Sequence, residues 1–328
     1  MPASRFNPIA APARLLREND MGLLGVEQTA RLGRAANPRR FRSALAERRR
    51  KLEHHLEVLR RERAEAGRER LEVTELADGW TRDDSGALPG IDSVIEEMNT
   101  VIEERGGRKW DFHGKPFLFD ILPECAWETY ESILEFIATP DVLEPVARHC
   151  GFVPCLSTDT PPGVRLMEST TTYDPQAEGP WRSSQLWHTD YHSFPTVYVI
   201  LAIREIGPDD GPLHFVGEAA SQRAAEALRY NSRGADHRVS DEEFAELVEP
   251  SEWLTFTGPP GSVMFIDSSR CFHFGSRNPA NPRYQLQYAY VSPVRNDFSD
   301  LVRPQASYAV DAAAPLSRRL ALDRGCTG

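Results

Sequence analysis

The sequence predicts a mainly β protein with a helical buttress, a cupin-like double-sheet jelly roll preceded by helices. Two observations carry this. Residues 1 to about 110 are polar, with apolar positions at helical spacing. From about 152 onward, short apolar segments follow one another between glycine and proline turns. The expected organisation is a helical N-terminal extension over 1–110 and a jelly-roll core over 111–300. A helical insert is expected at 218–250 and a C-terminal tail over 301–328. There is no internal repeat.

From Phe41 to Glu75 there is no proline and only one glycine. Leu45, Leu52, Leu56 and Leu59 fall on one helical stripe. Arg48 to Lys51 and Arg60 to Arg63 alternate with Glu53, Glu57, Glu62 and Glu65. Interleaved signs predict a solvated face, with His54 and His55 on it; homo-oligomerisation through these helices is the other use of the stripe. Pro89 opens a second helix, carrying Ile91, Val94, Ile95, Met98, Val101 and Ile102 and stopped by Gly106-Gly107. A third starts near Glu124 and carries Ile133, Leu134, Phe136 and Ile137. Thr139-Pro140 reads as an N-cap with proline at the first helical position, and that helix ends at Gly151.

Strands are expected at 164–171, 184–188, 196–206, 213–216, 253–257, 262–266 and 284–292. Pro161-Pro162-Gly163, Asp209-Asp210-Gly211-Pro212 and Gly258-Pro259-Pro260-Gly261 are the turns between several of them. In the insert, Ser240-Asp241-Glu242-Glu243 reads as a helix start.

A net charge of -11 argues against nucleic acid or an anionic membrane as partner, because both select basic surfaces. No run of eighteen apolar residues is present, so no membrane span is expected. The five cysteines, Cys125, Cys150, Cys155, Cys271 and Cys326, are odd in number and lack C-x-x-C spacing, which fits reduced thiols in a cytoplasmic protein. The first seventeen residues carry Arg5, Arg14 and Arg17 and no acid; they read as a disordered start rather than a transit peptide.

The chemistry lies in Trp187-His188-Thr189-Asp190, His273 and Arg283. H-x-D alone is near chance in a chain with nine histidines. Its context adds weight. On a strand, residues i and i+2 face the same way and can reach one metal. His273 follows a glycine turn and the apolar run 262–266, and Arg283 opens an alternating segment. Two imidazoles and a carboxylate occupy one face of an octahedral iron(II), leaving three positions for a chelating co-substrate and oxygen. An arginine at 283 can hold the far carboxylate of that co-substrate by two prongs.

These residues, with Asp210-Gly211-Pro212-Leu213, Phe215-Val216-Gly217, Gly275 and Asn278, resemble the phytanoyl-CoA dioxygenase family over about residues 110 to 300. That family shows W-H-x-D, N-G-P-L leading into P-G-S-H, then H-x-G-x-x-N and an arginine. The resemblance implies a double-stranded β-helix with His188 ending its second strand and His273 on its seventh. It implies His188, Asp190 and His273 as iron(II) ligands, with Arg283 on the 2-oxoglutarate C5 carboxylate and O2 as the third reactant. Two departures stand out. Val216-Gly217-Glu218-Ala219 replaces P-G-S-H, and Gln285 stands where a serine is common two residues after the arginine. Related halogenases carry a small residue in place of the aspartate, so Asp190 implies hydroxylation or another oxygen-derived outcome.

Tyr191, His192 and Arg165 are the candidates for contact with a small-molecule substrate. Arg277 competes with Arg283 for the co-substrate, and His214 reads as a satisfied histidine. The insert and the N-terminal helices are candidates for a lid. Two other functions compete: a cupin-like metal-dependent isomerase or epimerase that consumes no 2-oxoglutarate, and a non-catalytic jelly-roll assembly module. A requirement for iron without 2-oxoglutarate turnover would select the first, and failure to bind divalent metal the second.

Overall fold

Among the described residues the chain starts with three helices rather than one stripe: α1 (Met21–Ala36), α2 (Arg39–Arg50) and α3 (Leu52–Glu65). The structure, a computed structural model, describes residues 21–105, 110–111, 115–122, 127–158, 162–169, 181–230, 238–277, 279–296 and 307–328. The basic start, Gly106-Gly107, Glu124, Cys125, Pro161 and Asn278 lie outside the described residues. Lys51, at φ -95 and ψ 9, separates α2 from α3. Leu56 and Leu59 pack into the chain's own core, with Leu52 at its edge.

The expected solvated face is only partly so. His54 is exposed, but His55 is buried and its Nε2 meets the Thr327 carbonyl at 3.1 Å. Arg63 is buried with Glu144, 2.6 Å away. Arg48 is fully buried and donates to the carbonyls of Val153, Asp323 and Cys326 at 2.7, 2.6 and 2.9 Å. Charge alternation is the same for a solvated face and for one whose cations reach carbonyls of distant segments. Arg48→Met is therefore expected to cost about 3 kcal/mol or more, since three carbonyls lose a charged donor at once. Urea unfolding measures it, and a midpoint equal to wild type would show that these bonds contribute nothing net.

Beyond α3 the stretch read as helical also contains a strand, β1 (Trp80–Asp83). It has no alternating apolar pattern; its partner, not its own sequence, makes it extended. Next come α4 (Ile91–Arg105), the short strands β2 (Trp110–Asp111) and β3 (Leu118–Asp120), α5 (Glu131–Ala138) and α6 (Pro140–Cys150). Proline stands in the first turn of α6 and Gly151 closes it in the left-handed conformation, as expected. The Thr139 hydroxyl does not cap; it donates to the Glu135 carbonyl instead.

The strands that follow are β4 (Cys155–Leu156), β5 (Val164–Ser169), β6 (Thr196–Ala202), β7 (Leu213–Phe215), β8 (Leu254–Phe256), β9 (Val263–Asp267), β10 (His273–Phe274) and β11 (Arg283–Val291). In the insert lie α7 (Glu218–Ala227) and α8 (Asp241–Ala245), and α9 (Leu316–Leu322) lies near the C-terminus. The Ser240 hydroxyl accepts from the Glu243 N–H and starts α8 as its sequence predicts. The expected strand over 184–188 is mostly a turn. Ser183–Gln185 is one 3-10 turn, held by Gln185 donating to the Ser276 carbonyl, and only Trp187 and His188 pair.

All pairing among the described residues is antiparallel. The larger sheet runs β1-β9-β6-β11-β5-β3-β2, with β4 also on β11; the smaller runs β10-β7-β8, and His188 extends it by bridging His273. Counted from β5, the second extended segment is Trp187-His188, the seventh β10 and the eighth β11. Apart from β7 and β8, which pair with each other in the smaller sheet, successive segments cross between two facing sheets, which is a double-stranded β-helix. Strand β6 buries all seven residues because both its faces are covered. Val197, Val199 and Leu201 meet the helices, while Tyr198, Ile200 and Ala202 face the smaller sheet. No helix among the described residues is long and apolar enough to cross a membrane.

Candidate metal centre

His188 and His273 are opposite one another in a two-residue backbone pairing, His188 N–H to His273 O at 3.1 Å and the reverse at 2.9 Å. Their rings lie 4.3 Å apart between centroids. Asp190 leaves the pairing but is fixed by its N–H on the Ser268 carbonyl at 2.8 Å. One carboxylate oxygen of Asp190 lies 3.7 Å from His273 Nε2. A donor atom from each of the three residues falls within 4.8 Å of the others, so the cluster could hold a metal ion.

The imidazoles are oriented through their other nitrogen. His188 Nδ1 lies 2.8 Å from the Leu186 carbonyl and His273 Nδ1 3.0 Å from the Cys271 carbonyl. A carbonyl only accepts, so each Nδ1 carries the hydrogen and each Nε2 keeps its lone pair. Burial pushes both histidines below their ordinary pKa, His188 well below, so both stay neutral at pH 7. Burial pulls Asp190 upward, but His273, His192, the Ser268 hydroxyl and Arg238 outweigh it, and its pKa is lowered. Tyr198 also hydrogen-bonds Asp190.

The triad opens on a cavity of about 110 Å³, walled by Met167, Ile200, Leu213 and Ile266 among apolar residues and by Lys115, Arg165, Arg283 and Gln285 among polar ones. Arg283 opens β11, buried, with Asp210 as the carboxylate that acts on it; burial brings its pKa down to about 10. One terminal nitrogen donates to the Gly211 carbonyl, and the other to Ser169 Oγ and Ser276 Oγ at 2.8 and 2.9 Å. Gly211 is at φ +62, and a Cβ there would stand 2.8 Å from the Arg277 carbonyl, so glycine is required to present that acceptor. Arg283 Nε and Gln285 Oε1 are buried with no hydrogen-bond partner.

The rival Arg277 is used elsewhere. Its guanidinium forks onto Asp241 at 2.6 and 3.0 Å and stacks 3.5 Å over Phe274. His214 stacks on Phe274 with its Nδ1 at the Pro212 carbonyl and stands outside the cluster. Of the three substrate-contact candidates, Arg165 lines the cavity; the rings of Tyr191 and His192 meet each other at a tilt, 4.3 Å between centroids, and are not among its walls. At the departure 216–219, Asp78 does the fixing: its carboxylate accepts from the Ala219 N–H, and a Cβ at Gly217 would strike it.

None of the described residues of the insert is among the cavity walls. Phe244 stacks on Trp187 at 4.2 Å, and Trp253, Phe274 and Phe272 complete a cluster beside it. Trp187, Phe272 and Phe274 each neighbour a triad histidine in sequence, so they point to the opposite face and the insert backs the site from outside. Trp187→Ala is expected to cost about 3–5 kcal/mol in chemical denaturation. A loss under 1 kcal/mol would mean that the cluster does not brace the sheet.

Sequence reasoning missed Ser169, Ser268 and Ser276, and assigned Tyr198 no contact with Asp190. For Tyr198 a signal existed: it is the polar-tipped member of an otherwise apolar inner face, with Ile200 and Ala202. Lys115 and Arg238 lie on loops, where no periodicity marks them.

No family model matches the chain, and no curated protein does. Solved structures do show likeness. The epimerase SnoN, in complex with Fe3+, alpha ketoglutarate and nogalamycin RO, is 12% identical with a TM-score of 0.44, covering 66% of this chain and 80% of that one. The non-heme alpha ketoglutarate dependent carbocyclase SnoK is 14% identical at 0.44, over 68% and 84%. EctD from S. alaskensis, with 2-oxoglutarate and 5-hydroxyectoine, is 13% identical at 0.41, over 66% and 72%. The strand order above defines the fold. Together with the cluster it defines the class: a double-stranded β-helix with a His-Asp-His site inside its barrel.

Proposed function

We propose that the chain is a non-haem iron(II)- and 2-oxoglutarate-dependent dioxygenase that oxidises, first of all hydroxylates, a small organic molecule, with 2-oxoglutarate converted to succinate and CO2. The observation that carries it is the coexistence, in one cavity, of the His188, Asp190 and His273 donors with a buried Arg283 whose Nε lacks a partner.

The residues fit both groups. Two neutral imidazoles with free Nε2 and one carboxylate are donors suited to iron(II). A buried guanidinium with an unused N–H is costly unless a ligand accepts from it, and a carboxylate does so by charge-assisted bonding. When bound, iron and 2-oxoglutarate supply the oxygen chemistry, which no side chain could. The chain's own part is positional. Carbonyls of Leu186 and Cys271 fix the imidazoles, while Tyr198 and Ser268 hold Asp190. Ser169, Ser276 and Gly211 fix Arg283, so its partnerless Nε–H presents one direction to a carboxylate. Gln285 adds an amide to the same wall, which presents a donor once turned. Met167, Ile200, Leu213 and Ile266 keep water from the reacting side.

Anaerobic addition of iron(II) and 2-oxoglutarate is expected to produce the visible charge-transfer band of the chelate. Folded protein that shows no band overturns the reading.

A further inference from the structure

We infer that Asp267 is a positioning residue of the metal centre. Clamped by His149 from α6 and by Arg270, its buried carboxylate sets the turn that aims both Asp190 and His273. Its role depends on the triad being a metal site, as proposed above, and not on which co-substrate the metal uses.

Asp267 ends β9 and is fully buried, where a carboxylate persists only if it is paired and hydrogen-bonded. Its partners come from three parts of the chain. His149, in the last turn of α6, has its Nε2 2.8 Å from one carboxylate oxygen. A carboxylate only accepts, so this nitrogen carries the hydrogen. Arg270 Nε lies 3.3 Å from the same oxygen, and a terminal nitrogen of Arg270 donates to Glu218 Oε1 at 2.7 Å, where α7 begins. The other oxygen accepts from the Ser269 N–H at 3.1 Å and from the Ser269 hydroxyl. A buttress helix, the strand end and the insert thus meet on one side chain.

The turn that follows closes on the same residue. The Asp267 carbonyl accepts from the N–H groups of Arg270 and Cys271 at 3.0 and 2.9 Å. With the Ser269 N–H on the side chain, the N–H groups of 269, 270 and 271 all end on Asp267. What the turn presents outward goes to the triad. The Ser268 carbonyl accepts from the Asp190 N–H at 2.8 Å, and the Ser268 side chain acts on the Asp190 carboxylate. The Cys271 carbonyl takes the Nδ1 hydrogen of His273 at 3.0 Å. The third donor, His188, is tied to His273 through the main chain. Partners that orient metal ligands from outside the coordination sphere govern metal affinity. Asp267 controls two such partners at once without contacting any of the three donors. If His149 is removed, one buried oxygen keeps only the Arg270 guanidinium, and the carboxylate is free to turn toward it and slacken its hold on Ser269.

The test titrates the full chain with cobalt(II) alone, followed by its visible bands, and records the histidine ring 15N–1H signals of the metal-free protein. Asp267→Ala and His149→Ala are each expected to weaken cobalt(II) about 10-fold, the low end for partners of metal ligands. In both, the His273 Nδ1–H signal should shift and exchange faster with water. His149→Gln keeps an N–H that can reach Asp267, so it should recover most of the affinity. Arg48→Met separates positioning from stability: its lost bonds lie at Val153, Asp323 and Cys326, and it should bind cobalt(II) as wild type does. Should Asp267→Ala fail to fold, His149→Ala decides, because its side chain stands at a helix end and is 10% exposed. Cobalt(II) affinity within about twofold of wild type in folded His149→Ala overturns the assignment and leaves the metal site standing. So does an equal loss in Arg48→Met. Wild-type protein that binds no cobalt(II) ends the metal reading instead, and the His273 signal then shows by itself whether Asp267 aims that ring.

Discussion

Asp190→Ala, His188→Ala and His273→Ala are each expected to abolish succinate formation while leaving the fold intact. The reason is that the triad's structural and chemical contributions are separable. His188 and His273 join the smaller sheet through main-chain N–H and carbonyl groups, which alanine keeps. What alanine removes is a neutral Nε2, or in Asp190 a carboxylate, from a set of three donors within 4.8 Å. Two remaining ligands hold a divalent ion poorly in a site built for three. Unfolding midpoints near wild type, together with lost iron stoichiometry, are the expected pair of results. A smaller, graded loss should follow when only the orientation of Asp190 is relaxed. Tyr198→Phe or Ser268→Ala is expected to weaken metal binding about 10–100-fold. Near-full turnover in any one of the three alanine variants would show that residue not to be a ligand.

What could be read from the sequence divides along a physical line. The strands of the jelly roll were legible wherever their apolar runs are long, as in β6, β9 and β11, because the larger sheet is covered on both faces. Trp80–Asp83 was not, since its extended state is imposed by pairing with β9. His188 and His273 stand on the second and seventh core segments, as the resemblance implied, and Arg283 lies at the start of the eighth. The choice between Arg283 and Arg277 could not be settled locally. It depends on Asp241, which is distant in sequence and neutralises Arg277. Similarly, His55 and Arg48 look solvated in a charged helix, but carbonyls near the C-terminus bury them.

Arg283→Ala is expected to raise the 2-oxoglutarate KM roughly 100-fold, corresponding to about 3 kcal/mol for truncating one member of a buried charge pair. The change should fall on KM for this co-substrate rather than on iron affinity, because Asp210, not Asp190, is the carboxylate that acts on Arg283. Some stability will be lost as well. The Gly211 carbonyl loses its charged donor, although Ser169 and Ser276 can keep each other satisfied at 2.9 Å. Arg283→Lys tests the fork directly: it keeps the charge but cannot reach Gly211, both serines and a ligand at once, so it should recover only part of the affinity. Arg277→Ala is the control, because its guanidinium is already spent on Asp241, and it should leave the 2-oxoglutarate KM within about twofold, since no partner within reach of the ligand is lost. If Arg283→Ala leaves that KM unchanged in a folded protein, the buried Nε serves the fold, and the co-substrate must find its anchor at Lys115 or Arg165 of the same cavity instead.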